Sequence, residues 1–229
     1  MAVPGYLSNN PLLHMGMIVP IQRGTAQILY AAKDGVCLLE TKSNAYMLSA
    51  SSHEIGSKLL ELLPSEGIFS FHQSFMLEDF KTKVHYTTFL ENYQAVYLSK
   101  EPLPVSCDIE IRLLDASYFE IIKATYDVDV GADYLKQRLE EGELFGGFAS
   151  AGLVGFIGIH AEGSIGMLKV FDQHLGKGYG TALTAYAMNH QLTQGVTPFE
   201  QIGTSNEASL AIARKLGFSI STDKIYWLF

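Results

Sequence analysis

The chain has 229 residues, of which 48% are hydrophobic and 17% charged, and its formal net charge is −8 at pH 7. This composition is typical of a globular protein with an ample core, and the length allows one large domain or two small ones. The negative charge and the lack of a long basic run argue against a general nucleic-acid binder.

Targeting and redox signals are also missing. The first twenty residues show no basic start followed by a long apolar core, so we expect no secretory signal peptide. No apolar run approaches the ~20 residues that span a bilayer. Cys37 and Cys107 match no metal or redox spacing and are predicted to be reduced thiols. The sequence therefore predicts a cytoplasmic protein with no metal, nucleic-acid or membrane partner, and leaves a homo-oligomer open.

The first half alternates short strands and helices. Residues 25–50 predict three strands, with Asp34-Gly35 as the hairpin turn between the first two. Ser52 is a predicted N-cap, and the leucines after it fall on one face of a helix over 52–63. The remaining elements are a strand over 67–73, a helix over 74–84 and a strand over 92–99.

A domain boundary is predicted in the segment SKEPLPVSCD, residues 99–108. Its two prolines interrupt both helix and strand patterns. We therefore predict two domains, over residues 1–104 and 105–229.

The second half begins with a strand over 109–115 and two helices over 116–126 and 131–142. Three strands follow, with tight turns at Ala151-Gly152 and Glu162-Gly163, and a glycine loop then leads into a helix. The last elements are a strand over 199–203, a helix over 206–218 that Ser205 or Asn206 caps and Gly217 ends, and a strand over 223–229.

The two halves share one order of elements. Each has three strands, a helix, a strand, a helix and a final strand, although the first half has SASSHEIG, residues 49–56, where the second has the glycine loop. The sequence thus predicts an α/β fold with a mixed sheet, duplicated along the chain, whose first copy has lost its site and binds no ligand of its own.

The glycine loop places Gly176, Gly178 and Gly180 at every second position just before a helix-like stretch. Glycine adopts left-handed backbone angles and lets another molecule approach closely. Because the first amides of a helix point outward and its dipole is positive there, the loop predicts a phosphate or pyrophosphate site, to which Lys177 adds a charge. The alternative is a plain helix entry whose glycines serve close packing.

Neither common nucleotide motif fits this loop. A P-loop needs G-x-x-x-x-G-K-[ST] and a dinucleotide fingerprint needs G-x-G-x-x-G early in the chain. The loop reads G-x-G-x-G and follows strands that look antiparallel.

Two segments resemble the GNAT acetyltransferase superfamily. VFDQHLGKGYGTAL, residues 170–183, is similar to its acyl-CoA-binding pattern [RQ]-x-x-G-x-[GA], and NEASLAIARKLGF, residues 206–218, is similar to its second segment. More narrowly, residues 155–170, 197–202 and 225–229 resemble the glycine N-acyltransferase-like branch, whose members also carry a degenerate N-terminal copy of the fold.

The resemblance implies an acyl-CoA-dependent N-acyltransferase, with acetyl-CoA or another acyl-CoA as co-substrate and a small amine or amino acid as acceptor. The amine would attack the thioester directly while a strand amide polarises the carbonyl. The implied cofactor-binding residues are Leu168, Lys169 and Val170 along the pantetheine arm, Leu175, Gly176, Lys177, Gly178, Tyr179, Gly180 and Thr181 around the pyrophosphate, and Asn206 and Ser209 on the other side of the arm.

The chain departs from the superfamily pattern at two positions. Leu175 stands at the [RQ] position, although a register shifted by two would place Gln173 there. Ala213 stands where many members have a tyrosine that protonates the leaving thiolate. A thiolate with a pKa near about 8.5 leaves without strong acid help, so the acid is unassigned. The departure also leaves open a non-catalytic acyl-CoA-binding or regulatory module.

Three residues are candidates for proton transfer. Glu162 and His160 sit at the hairpin that enters the strand over 164–171 and are rival candidates for the base that deprotonates the amine. A solvated turn carboxylate and an ordinary polar strand residue are the alternative interpretations. Tyr226 is the candidate for the missing acid, and core packing is its alternative role.

Overall fold

The computed structural model describes residues 2–105, 108–126, 128 and 131–229. Cys107 and part of the predicted boundary lie outside the described residues, whereas Cys37 is a buried free thiol whose pKa burial raises to about 12. The strands are β1 (Ala26–Ala32), β2 (Gly35–Glu40), β3 (Ala45–Ala50), β4 (Ile68–Phe71), β5 (Phe89–Val96), β6 (Glu110–Leu113), β7 (Leu144–Ala149), β8 (Gly152–Ile159), β9 (Ile165–Val170), β10 (Phe199–Gly203) and β11 (Ser219–Leu228). The helices are α1 (Gly5–Ser8), α2 (Pro11–Arg23), α3 (His53–Leu60), α4 (Leu77–Lys83), α5 (Phe119–Thr125), α6 (Ala132–Glu140), α7 (Tyr179–Thr193) and α8 (Glu207–Lys215).

All of these strands form one mixed sheet. Its order is β1-β2-β3-β4-β11-β5-β10-β9-β8-β7-β6. The pairs β3/β4 and β9/β10 are parallel, and the other neighbours are antiparallel. Helices cover both faces, since α1–α2 and α3–α4 pack on opposite faces of the first half and α5–α6 and α7–α8 on opposite faces of the second. The predicted mixed α/β fold, with one order of elements in each half, is confirmed.

The two halves exchange their last strands. The strand β11 lies between β4 and β5, so that Trp227 is opposite both Ser70 and Leu90. The strand β5 in turn pairs with β10, where Gln94 is opposite Gln201. Strand pairing therefore crosses the boundary predicted near residue 104, and the division into domains 1–104 and 105–229 stays a prediction.

The three predicted hairpin turns each lie one residue earlier than expected. The turns are Lys33-Asp34, Ser150-Ala151 and Ala161-Glu162, and a glycine follows each of them. Two of these glycines, Gly152 and Gly163, have left-handed φ angles of 110° and 102°. Glycine is common at the last position of a four-residue turn, where it joins the next strand.

Helix α2 is not among the elements predicted from the sequence. Its signals are nevertheless present: Asn10 caps the first turn by accepting a hydrogen bond from the Leu13 amide, Pro11 opens the helix, and Gly24 ends it with φ 73°. Residues 13–21 are all buried, so the helix lacks the amphipathic period that reveals a surface helix. It packs against β5 and β11, the two exchanged strands.

Two histidines are buried in the first half. His14 in α2 and His72 after β4 are 4% and 3% exposed, with ring centroids 5.4 Å apart. His14 Nδ1 lies 3.2 Å from the Leu7 carbonyl oxygen and its Nε2 2.9 Å from the Ser49 hydroxyl, while His72 Nδ1 lies 3.2 Å from the Leu48 carbonyl oxygen. Burial lowers the pKa of both rings, that of His72 to about 3. Both are therefore neutral in the folded protein at pH 7.

We expect this pair to make the fold sensitive to acid. An unfolded-chain histidine has a pKa of about 6.5, above the folded value, so the stability that each neutral ring contributes is complete above that pH and is lost as the pH falls. The loss reaches about 1.4 kcal/mol per pH unit for each ring. The variant His72→Gln keeps an N–H donor for the Leu48 carbonyl but does not titrate.

Chemical denaturation at pH 7 and pH 5 measures this difference. The wild type should lose about 2 kcal/mol more unfolding free energy than His72→Gln over that interval. Equal losses in the two proteins would show that His72 does not hold a depressed pKa in the fold.

Candidate functional site

The parallel strands β9 and β10 pair at a single position and then separate. Ile165 is opposite Glu200, and no further pair of described residues joins the two strands. The equivalent strands of the first half, β3 and β4, stay paired at four positions from Ala45/Ile68 to Leu48/Phe71. The second half therefore has an opening between its central parallel strands that the first half has closed.

A β-bulge faces this opening. Gly158 is opposite Gly166 and Phe156 is opposite Lys169, so that one residue of β8 faces both Met167 and Leu168 of β9. Met167 has φ 51°, a left-handed conformation that is uncommon for a residue with a side chain and that clusters at functional sites. A bulge leaves backbone groups out of the ladder, and both bulge residues line the opening. The opening therefore has backbone groups at its wall that the sheet does not use.

A cavity of about 480 Å³ fills the opening and continues beyond it. Of the predicted cofactor-binding residues, Leu168 lines it from β9, and Asn206 and Ser209 line it from the other side. The Asn206 side chain caps α8 by accepting a hydrogen bond from the Ser209 amide at 3.0 Å. The structure thus brings these three residues together, while Lys169 and Val170 lie farther along β9, outside the cavity wall.

The glycine loop connects β9 to α7 at the open end of the strands. Gly176 and Gly178 have φ angles of 75° and 81°, and no described atom lies within 4 Å of a Cβ placed on either. The N-cap of α7 is Gly178, so no side chain covers the first amides of that 15-residue helix. Gly180 serves packing instead, since a Cβ there would lie 3.1 Å from Ile212 Cδ1 of α8.

The rest of the loop is exposed. The Leu175 side chain is 60% exposed, and Lys177 is also exposed. Tyr179 and Thr181 are half-buried in the first turn of α7. The helix entry is thus uncovered and accessible, as an anion site requires.

The base candidates Glu162 and His160 both line the cavity at the β8–β9 turn. Glu162 is only 6% exposed, and its carboxylate accepts a hydrogen bond from the Ser164 hydroxyl. Two helices hold the turn, because Arg23 donates to the Ala161 carbonyl at 3.3 Å and Gln191 donates to the Gly163 carbonyl at 2.7 Å. Glu162 is therefore a fixed, buried carboxylate and not a solvated turn residue.

His160 is paired with a tyrosine. Its Nδ1 lies 2.9 Å from the Tyr134 hydroxyl, which also accepts a hydrogen bond from the Ala161 amide at 3.1 Å. Burial lowers the pKa of His160, although Glu162 raises it and Arg138 lowers it further. Burial also raises the pKa of Tyr134. The ring is therefore neutral at pH 7.

The acid candidate Tyr226 is not brought to the cavity. It is 4% exposed and stacks on Phe71, with ring centroids 4.9 Å apart, in the core under α3 and α4. Burial raises its pKa. Successive residues of a strand face opposite sides of the sheet, and the next residue, Trp227, lines the cavity and donates from Nε1 to Gln201 Oε1. Tyr226 therefore packs in the core, which was its alternative role.

A second buried carboxyl group lies in the cavity and is not among the predicted site residues. Glu200 in β10 lines the cavity at the one paired position and is 8% exposed, and burial raises its pKa to about 8. Thr184 of α7 also lines the cavity, and its hydroxyl has no hydrogen-bond partner among the described residues. A glutamate inside the apolar strand FEQIG was the available signal for Glu200.

Neither a metal cluster nor a membrane-spanning helix is present in the part of the chain that the structure describes. That part holds no group of three or more His, Cys, Asp or Glu side chains placed to bind a metal ion. None of its helices has the length and apolar character to cross a membrane. The cytoplasmic location and the oligomeric state stay predictions.

Comparisons with known proteins agree with this geometry. The family model of FR47-like proteins matches residues 149–228. A Drosophila protein of known structure has a TM-score of 0.70 at 15% identity, covering 98% of this chain and 93% of its own. A Novosphingobium aromaticivorans protein described as a GNAT-family acetyltransferase has a TM-score of 0.59 at 12% identity, covering 93% and 94%.

A GCN5-related N-acetyltransferase-like protein from Streptococcus suis has a TM-score of 0.56 at 14% identity, covering 92% of each chain. A comparison with curated proteins gave no match. Identities this low show the fold alone. The chain therefore shares the fold of these GNAT-family proteins, and the FR47-like match falls on the half that contains the opening.

Proposed function

We propose that this chain transfers an acyl group, with acetyl as the first choice, from a CoA thioester to the nitrogen of a small acceptor. The opening between β9 and β10, with the Met167 bulge on its wall, carries the proposal. An opening of this kind accepts an extended chain that adds to the strand edge by backbone hydrogen bonds. The pantetheine arm of CoA has amides suited to that pairing.

The glycine loop is the proposed pyrophosphate site. No side chain caps the start of α7, and Gly176 and Gly178 border open space, so an anion could bind there in the favourable field of the helix dipole. The arm would run from this loop along Leu168, Lys169 and Val170, with Asn206 and Ser209 opposite. Its sulfur would then reach the bulge.

In the proposed reaction the amine nitrogen bonds to the thioester carbonyl carbon, and the C–S bond breaks. A free backbone N–H at the Met167–Leu168 bulge stabilises the negative charge that develops on the carbonyl oxygen. Glu162 takes the proton that the amine must lose, directly or through water, and neutral His160 beside it is the rival base. The thiolate leaves and takes up a proton from an acid that is not assigned.

We also propose a place in the glycine N-acyltransferase-like branch, on the resemblance of residues 155–170, 197–202 and 225–229. The first of these segments contains the bulge and both base candidates, and the last contains Trp227 on the cavity wall. This resemblance covers only these segments and does not identify the acceptor.

A non-catalytic acyl-CoA-binding module is the second candidate, and one observation favours it. Ala213 of α8 is fully buried in the core with Leu183 and Leu210. The position at which the resemblance implies a tyrosine acid is therefore occupied by a small apolar side chain in the core.

Thiol release separates these two functions. With acetyl-CoA and a panel of primary amines and amino acids, an acyltransferase should release free CoA thiol only when an acceptor is present. A binding module would bind acetyl-CoA in a calorimeter without any acceptor-dependent release, and that result would overturn the proposed function.

A further inference from the structure

The far end of the cavity is built by the first half and by the exchanged strand β11. Ile68, Leu90, Trp227 and Phe229 line it there and give it an apolar wall. All four are carbon-rich side chains that gain by covering an apolar ligand. A ligand that reaches the bulge from the side opposite the CoA arm would lie against this wall.

Two of the polar side chains that line the cavity are carboxyl groups. Glu162 and Glu200 line it, whereas none of its described lining residues is a lysine or an arginine. Two arginines lie near the cavity without lining it: Arg138 is buried and pairs with Glu141 at 2.7 Å, and Arg23 donates to the Ala161 carbonyl. Burial raises the pKa of Glu200 to about 8, so this carboxyl is mostly protonated in the empty cavity, and a bound ammonium group would favour its ionised form. The lining offers a ligand carboxylate no lysine or arginine as partner.

We propose that the acceptor is a primary amine with an apolar or aromatic body and no carboxylate, and that the apolar wall holds that body. This inference rests on the proposed acyl transfer and narrows its acceptor class. The ammonium lies toward Glu162 and Glu200, and the body lies against Leu90 and Trp227. An amino acid would place its carboxylate near Glu162 in a cavity whose described lining has no lysine or arginine, which is unfavourable.

A matched set of three ligands isolates the carboxylate. Phenethylamine has the amine and the aromatic body, phenylalanine adds a carboxylate, and phenylalaninamide replaces that carboxylate with a neutral group of similar size. If charge is what the cavity rejects, the first and third ligands bind and the second does not.

Binding can be read without any turnover, because Trp227 is the single tryptophan of the chain and lines the cavity. Phenethylamine and phenylalaninamide should change its fluorescence in a saturable way. Phenylalanine should bind at least about 100-fold more weakly, the size of effect that an unpaired buried charge produces. Equal or tighter binding of phenylalanine would overturn the proposal, and so would the failure of all three ligands to change the emission.

Kinetics with acetyl-CoA give the second readout. We expect kcat/KM for phenethylamine to exceed that for phenylalanine and for glycine by about 100-fold or more. Faster turnover of the amino acids would overturn this inference and leave the proposed acyl transfer intact. Selective binding of phenethylamine without turnover of any acceptor would overturn the proposed acyl transfer and leave the selectivity of the cavity intact.

Discussion

The variant Gly178→Asp is expected to weaken CoA binding by at least about 100-fold while the protein stays folded. Gly178 is the N-cap of α7, and its missing side chain leaves the first helix amides uncovered. An aspartate there would accept hydrogen bonds from those amides and bring a negative charge to the place proposed for the pyrophosphate. A Cβ at this position meets open space, so the main cost to stability is the left-handed φ of 81°.

Gly195→Asp is the matched control. Gly195 follows the other end of the same helix, has a similar φ of 72°, and would also place its Cβ in open space. The Gly195→Asp variant therefore introduces the same backbone strain and the same charge at a site away from the loop. Its affinity for CoA should equal that of the wild type. Gly178→Asn tests the charge by itself. Unchanged affinity of Gly178→Asp in calorimetry would remove the loop from the binding site.

The variant Glu162→Gln is expected to lower kcat by about 10²- to 10⁴-fold at neutral pH, the usual contribution of a general base. Glutamine keeps an oxygen that can accept the Ser164 hydrogen bond but cannot take a proton. The loss should shrink at high pH, where the free amine is already abundant. CoA affinity should barely change, because the proposed phosphate site lies at the other end of β9.

Two comparisons make this result specific. Glu66→Gln changes an exposed glutamate of the first half and should keep the wild-type rate. His160→Gln tests the rival base, because its ring lines the same cavity. If Glu162→Gln keeps wild-type rates at every pH while His160→Gln does not, the base is His160. If neither variant slows the reaction, positioning and carbonyl polarisation provide the catalysis.

The features that depend on residues close together in the sequence could be predicted from it. Ser52 and Asn206 cap α3 and α8 as predicted, each accepting from the amide three residues later. Short strand-like segments separated by turn residues predicted the three consecutive strands of each half. The glycine loop was located by its spacing, and Gly176 and Gly178 do adopt the left-handed backbone that motivated the interpretation.

Strand pairing between residues far apart in the chain determines the features that the sequence did not predict. Nothing near Tyr226 or Trp227 shows that β11 inserts between β4 and β5, yet that insertion sends Tyr226 into the core and Trp227 to the cavity. In the sequence, Glu200 is only a polar residue in a short strand. Its pairing with Ile165 places it at the base of the opening. The partner Tyr134 comes to His160 from a helix 26 residues earlier in the chain.

A crystal structure of the chain with CoA tests the central claim most directly. We predict one CoA per chain, with its pyrophosphate on residues 175–181, its arm between β9 and β10, and its sulfur next to the Met167–Leu168 bulge. A CoA molecule bound at any other place, or a second one at the β3–α3 turn of the first half, would contradict the account.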